Sequence, residues 1–240
     1  MKLRRALVAE FIGTAMLLAT VVGSGIMGER LAGGNVAIAL LANTLATGAA
    51  LVALIATFGP ASGAHFNPLV TVTALAFGHF NLRKVSAYLA AQVLGAIAGV
   101  MAAHYMFDLP LLATSAHARS GAHQWWSEVV ASFGLLTVIL NVARNRPQQV
   151  PLAVGCYITA AYWFTASTSF ANPAVTIARS LTDSFSGIRP ADAPGFIISQ
   201  AMGAFLAFAL FRWSERAEQP GDTVAETGSS GAGSNTTAPV

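Results

Sequence analysis

Two stretches of this chain repeat one pattern: His65-Phe66-Asn67-Pro68-Leu69-Val70-Thr71 and Phe170-Ala171-Asn172-Pro173-Ala174-Val175-Thr176, both Asn-Pro-aliphatic-Val-Thr. Asn is a favoured N-cap, and Pro suits the first helical position because its missing N–H would have no partner there anyway. Each motif therefore predicts a helix start. Both starts lie inside apolar sequence. In lipid, an unpaired helix N-terminus is tolerated only where it is buried in protein or lines a cavity. Two such starts at matching places in two hydrophobic halves point to a membrane channel or transporter built from repeats.

The composition agrees. Of the 240 residues 55% are hydrophobic and 10% charged, against roughly 25% charged in a soluble domain. A span needs about 20 apolar residues to cross the hydrocarbon core. Six are predicted, at Ala6–Met27, Val36–Phe58, Val85–Phe107, Trp126–Val142, Val150–Ser167 and Gly195–Trp213. Two further apolar segments, Pro68–Phe77 and Pro173–Leu181, are too short to span. At 1.5 Å per residue each covers about half a membrane, so two entering from opposite sides would meet near the midplane. The single Cys excludes an internal disulfide.

The repeat extends past the motifs. Ala9-Glu10-Phe11 corresponds to Ser127-Glu128-Val129, and Ala91-Gln92-Val93-Leu94-Gly95 to Ser199-Gln200-Ala201-Met202-Gly203. Each half has three spans, an odd number, so the second half is inverted relative to the first. With the N-terminus in the cytoplasm, Lys2, Arg4, Arg5, Arg83, Lys84, Arg144, Arg146, Arg212 and Arg216 lie inside, and Arg30, Arg119, Arg179 and Arg189 outside. That bias puts both termini in the cytoplasm. The net charge of +3 is read as loop anchors at a membrane rather than as a nucleic-acid surface. Met1-Lys2-Leu3-Arg4-Arg5 before an apolar run also fits a signal peptide, but a run reaching Met27 and carrying Glu10 suits a packed span better. Residues 217–240, rich in Gly, Ser, Thr and Pro, are expected to be a disordered cytoplasmic tail.

At the meeting point, the side-chain oxygens of Asn67 and Asn172 are expected to cap their own half-helices, leaving both NH₂ groups free to point into a lumen. Both half-helices aim positive dipole ends at the midplane. Such a site orients neutral hydroxylic solutes and repels cations.

These motifs, with Ser62-Gly63-Ala64-His65 before the first and Ala9-Glu10-Phe11-Ile12-Gly13-Thr14 in the first span, resemble the major intrinsic protein family, the aquaporins and aquaglyceroporins. The resemblance covers residues 6–213. It implies an all-α membrane protein with six transmembrane helices and two re-entrant half-helices in two inverted repeats. The channel domain is then 1–216, with repeat one at 6–107 and repeat two at 126–213. It also implies a pore in each protomer, a homotetramer, and a bacterial cytoplasmic membrane as the site.

The family has a four-residue constriction outside the Asn-Pro pair. Ungapped counting from the motifs assigns it to Thr47, Ala160, Ser169 and Val175. Two departures stand out: Leu69 replaces the usual Ala, and Val175 replaces the usual Arg. All four positions are small or uncharged, so the constriction is expected to be wide and weakly positive. Val in place of Arg resembles a small bacterial group associated with arsenic resistance. The implied solutes are trivalent arsenic as its neutral trihydroxide, glycerol, urea and water.

Arg179, one turn after Val175, reads either as a displaced Arg at the outer vestibule or as a surface residue pairing with Asp183 at i+4. Cys156, four residues before Ala160, is expected to share its face and look into the pore. His65 is expected near the inner vestibule, static or pH-responsive. Family resemblance implies that Glu10 and Glu128 brace the loops leading to the half-helices; a proton relay is the other reading. Gly95, Gly99 and Gly203 should permit close helix contact. A secondary transporter shares this architecture, but the midplane offers amides rather than carboxylates. No nucleotide loop, His/Cys metal spacing or base-paired nucleophile supports an enzyme or a cofactor.

Overall fold

Every long apolar run becomes a helix in the computed structural model, which describes residues 2–218. The helices are α1 Lys2–Leu31, α2 Val36–Ser62, α3 Pro68–Ala76, α4 Leu82–Met106, α5 Ala122–Asn145, α6 Val150–Phe164, α7 Pro173–Arg179 and α8 Ala193–Glu218. No strand occurs among the described residues. Local chemistry sets the ends. Asn35 starts α2 by accepting the N–H groups of Ala37 and Ile38 at 3.1 and 3.2 Å, and Asn81 starts α4 by accepting from Lys84 at 2.9 Å. Gly63, at φ 89°, ends α2 in the left-handed conformation that glycine takes without strain.

Five helices are long and apolar enough to cross a membrane. The exception is α6, with 15 residues. It is shorter than the predicted Val150–Ser167 because Thr165 turns to extended backbone and the chain must fold back toward Asn172. The predicted tail boundary also shifts. Ala217 and Glu218 belong to α8, and the rest of that expectation lies outside the described residues.

The two halves match element for element. α1 packs on α2 and α4, α5 packs on α6 and α8, and α2 against α6 joins the halves. The half-helices α3 and α7 touch at the centre. Polarity is arranged for lipid: Val8 and Ile198 are 57% and 70% exposed, whereas Glu10, Gln92, Glu128 and Gln200 are fully buried. Lipid accepts the first set and excludes the second.

Close approach of α1 to α4 and of α5 to α8 requires glycine. A Cβ on Gly95 would strike the backbone carbonyl of Phe11, and one on Gly203 would strike that of Val129. These are matching positions of the two repeats, next to Glu10 and Glu128. Gly99 approaches the Ala15 carbonyl in the same way. Gly203→Val is therefore expected to destabilise the fold by about 1–3 kcal/mol, the usual range for overpacking. Thermal unfolding of purified protein in detergent checks it; an unchanged midpoint would mean that α5 and α8 do not pack this closely.

Candidate pore site

A half-helix that begins at the membrane midplane leaves its first N–H groups to be satisfied by side chains. Asn67 Oδ1 accepts from Leu69 N at 2.9 Å; Asn172 Oδ1 accepts from Ala174 N at 3.0 Å and Val175 N at 3.3 Å. The amide nitrogens then reach across the repeat boundary. Asn67 Nδ2 donates to the carbonyl of Ala171, and Asn172 Nδ2 to that of Phe66, each at 2.8 Å. The expectation of two wholly free NH₂ groups is corrected. One N–H of each is spent on the opposite repeat, and one of the two that a primary amide carries remains.

The carbonyls reach these positions because the backbone before each Asn is left-handed. Phe66 and Ala171 both have φ 47°; Ala64 and Ser169, two residues earlier, have φ 47° and 50°. Non-glycine residues there need compensating contacts, and buried carboxylates supply them. Glu10 accepts His65 N at 2.9 Å and Phe66 N at 2.8 Å, and Ser62 Oγ at 2.6 Å. Glu128 accepts Phe170 N and Ala171 N, both at 2.9 Å. Each carboxylate is also held by a glutamine, Gln92 at 2.7 Å and Gln200 at 2.6 Å. Each glutamine in turn donates at 2.9 Å to Thr71 or Thr176, whose hydroxyl bonds the carbonyl of the capping Asn. Every acceptor oxygen of Glu10 and Glu128 is engaged, which suits a brace better than a proton relay.

A lumen cavity lies beside these groups. Leu17, Leu51, Leu135, Ile139, Val154 and Ile158 give it an apolar wall, and His65, Asn67, Asn172 and Ser169 a polar strip. His65 Nδ1 lies 3.0 Å from Thr71 Oγ1, and its ring stacks on Phe80 at 5.3 Å. Thr47, Ser169 and Val175 all line the lumen. Pro68, Leu69 and Pro173 do not; they share a separate apolar cavity with Ala201 and Ala204 of α8. Ala174 is fully buried in the core.

Two assignments are corrected. Ala160 and Cys156 are exposed and do not line the lumen; α6 contributes Val150, Val154, Ile158 and Tyr162 instead. Two residues of helix rotate a side chain by about 200°, so an ungapped count two residues short picks the opposite face. The lumen faces Tyr162, whose hydroxyl lies 3.5 Å from Thr47 Oγ1. The four-residue spacing of Val150, Val154, Ile158 and Tyr162 was the signal that would have found it. Tyr162 thus puts an aromatic ring on the lumen where four small side chains were expected.

The surface reading of Arg179 is also corrected. Its side chain is 2% exposed and lines the lumen. Its guanidinium lies 3.4 Å from the centre of the Phe170 ring, and its Nε donates to the Ser186 carbonyl. Asp183 instead accepts Ala116 N at 2.9 Å. Arg119, in the loop between α4 and α5, reaches the same ring at 5.2 Å and donates through Nε to the Gly187 carbonyl at 2.8 Å. Burial pulls the Arg119 guanidinium below the usual arginine range, and the Glu128 charge acts in the opposite sense. Nothing in the residues around Arg119 marks it as a neighbour of Phe170.

Five membrane-length helices and the shorter α6 around two half-helices, with a lumen past their tips, define a multi-pass membrane channel. The chain belongs to the major intrinsic protein family, whose model matches residues 1–171 and 145–238. It is 56% identical to the aquaglyceroporin AqpS of Rhizobium meliloti (strain 1021) over 91% of this chain and 93% of that one. It is 34% identical to the aquaporin NIP3-1 of Oryza sativa subsp. japonica over 65% of this chain and 51% of that one. Among solved structures, the aquaglyceroporin of Plasmodium falciparum shares the fold with a TM-score of 0.66 at 23% identity, covering 87% of this chain and 95% of that one.

The outward position of Cys156 carries a prediction. Thiol reagents of mercurial size should label Cys156 and leave solute flux through purified channels unchanged. Block that Cys156→Ser removes would put the thiol back on the lumen.

Proposed function

We propose that this protein is a passive channel for small neutral hydroxylated solutes: glycerol, urea, water and trivalent arsenic as its neutral trihydroxide. The observation that carries the reading is an uncharged Val175 in a lumen lined both by apolar side chains and by Thr47, Tyr162 and Ser169. A polyol needs both surfaces. Its carbon edge, or the bare face of a trihydroxide, slides on the apolar wall, and its hydroxyls exchange hydrogen bonds along the polar strip. The similarity to an aquaglyceroporin supports the polyol part. The arsenic part rests on the uncharged Val175 and on the likeness of a trihydroxide to a polyol.

Asn67 and Asn172 act at the midplane. Each has one N–H still available, and both half-helix dipoles point their positive ends there. A solute hydroxyl is oriented, and a cation meets an unfavourable potential. His65 lines the inner mouth and Arg179 the outer. The Lys/Arg bias supports both termini in the cytoplasm and a cytoplasmic-membrane location, and the working assembly is a homotetramer of such pores in lipid.

The test is stopped-flow light scattering on proteoliposomes for water and glycerol, with mass-detected uptake of arsenite. Glycerol and arsenite should both enter faster than in empty vesicles. Val175→Arg, which adds a second guanidinium one turn from Arg179, should cut glycerol and arsenite entry several-fold more than water entry. Equal solute entry in both forms at equal reconstitution would show that position 175 does not set the selectivity. Water entry alone in the wild type would mean that Tyr162 and Arg179 close the lumen to larger solutes, and the arsenic reading would fall.

A further inference from the structure

Arg179 is among the largest fully buried side chains of the described residues, and a buried charge ordinarily has a carboxylate partner. Among the described residues this one has none. Glu128 is taken by Phe170 N, Ala171 N and Gln200; Asp183 by Ala116 N; Asp192 by Arg119 N and Arg189. Arg179 is fixed by the ring of Phe170 and by the Ser186 carbonyl, which uses its Nε. Its two terminal nitrogens are left without an acceptor among the described residues, on a side chain that lines the lumen. Ser169, on the same stretch of lumen, has a buried hydroxyl that is also unpartnered. Arg119 stands over the same phenyl ring and adds positive charge without offering an acceptor.

We propose that Arg179 is the charge-selecting residue of the lumen, donating through its terminal nitrogens to an oxygen of the passing neutral solute and turning cations away. Its position is dictated by local packing. It ends α7 one turn above Val175, where the segment after the half-helix folds back and presents Ser186. The stack on Phe170 holds the plane of the guanidinium, so its donors keep a fixed direction at little entropic cost. The charge acts in a narrow, poorly solvated passage, where screening is weak. The hydroxyls of Ser169, Thr47 and Tyr162 complete a set that can exchange hydrogen bonds with a neutral polyhydroxylated solute. The assignment rests on the passive-channel reading and adds where its charge selectivity resides.

The test measures two fluxes in the same proteoliposomes: glycerol by light scattering and proton leak by an entrapped pH dye. Wild type should pass glycerol and hold the proton gradient. Arg179→Gln should keep glycerol entry and raise proton leak by about tenfold or more, the scale expected for removing one charge from a low-dielectric passage. The Val175→Arg, Arg179→Gln double variant, with a guanidinium returned to the same lumen, should be tight again. If Arg179→Gln does not fold, Arg179→Lys supplies the comparison within one protein: tight at low pH while the lysine is charged, and leaky once rising pH deprotonates it. Glycerol entry with an unchanged proton leak in Arg179→Gln, or a flat pH response in Arg179→Lys, would overturn the proposal. Absence of glycerol entry in the wild type would instead overturn the channel reading on which it rests.

Discussion

Backbone N–H groups at the centre of a membrane have no water to turn to. Everything else in this protein follows from how those groups are satisfied. Two chain reversals bring the starts of α3 and α7 to the midplane, each exposing several N–H groups in a left-handed backbone. Glu10 and Glu128 take the N–H groups before each half-helix; Asn67 and Asn172 take those inside it. Buried carboxylates are costly unless fully hydrogen-bonded, and these are, through Gln92 and Gln200 as well. The reciprocal bonds from Asn67 to Ala171 and from Asn172 to Phe66 then lock one repeat to the other.

That lock fixes the lumen. The carbonyls and amides that hold the half-helices together lie along one side of it, and apolar residues of α1, α2, α5 and α6 form the other. Conduction and stability therefore share the same hydrogen-bonded core. Charge enters the passage through Arg179, which no neighbouring carboxylate among the described residues neutralises. The two kinds of donor, the amides of Asn67 and Asn172 and the guanidinium of Arg179, line the same lumen.

The midplane was legible in the sequence because Asn-Pro inside an apolar run marks a helix that starts within the membrane, and because the pattern occurs twice with Glu10/Glu128 and Gln92/Gln200 in register. The helix order was legible for the same reason that membranes are simple solvents: an apolar run of sufficient length has one use. What was hidden depends on three-dimensional approach. The crossed Asn-to-carbonyl bonds need the left-handed turns at Phe66 and Ala171, and nothing in the residue types Phe and Ala announces them. Tyr162 was missed because counting along the chain assumed no shift between this protein and its relatives, and a two-residue shift reverses a helix face. The fate of Arg179 was hidden because its expected partner, Asp183, is claimed by Ala116 from a loop more than sixty residues away in sequence.

In the passive-channel proposal, neutral solutes diffuse through a standing lumen, without a coupled ion and without a binding step that saturates. The deciding experiment is the initial rate of glycerol entry into proteoliposomes against glycerol concentration, with and without proton and sodium gradients. A standing lumen gives a rate that rises linearly with concentration and does not respond to either gradient. Saturation at low concentration, or acceleration by one of the gradients, would contradict it and point to a transporter built on the same inverted repeats.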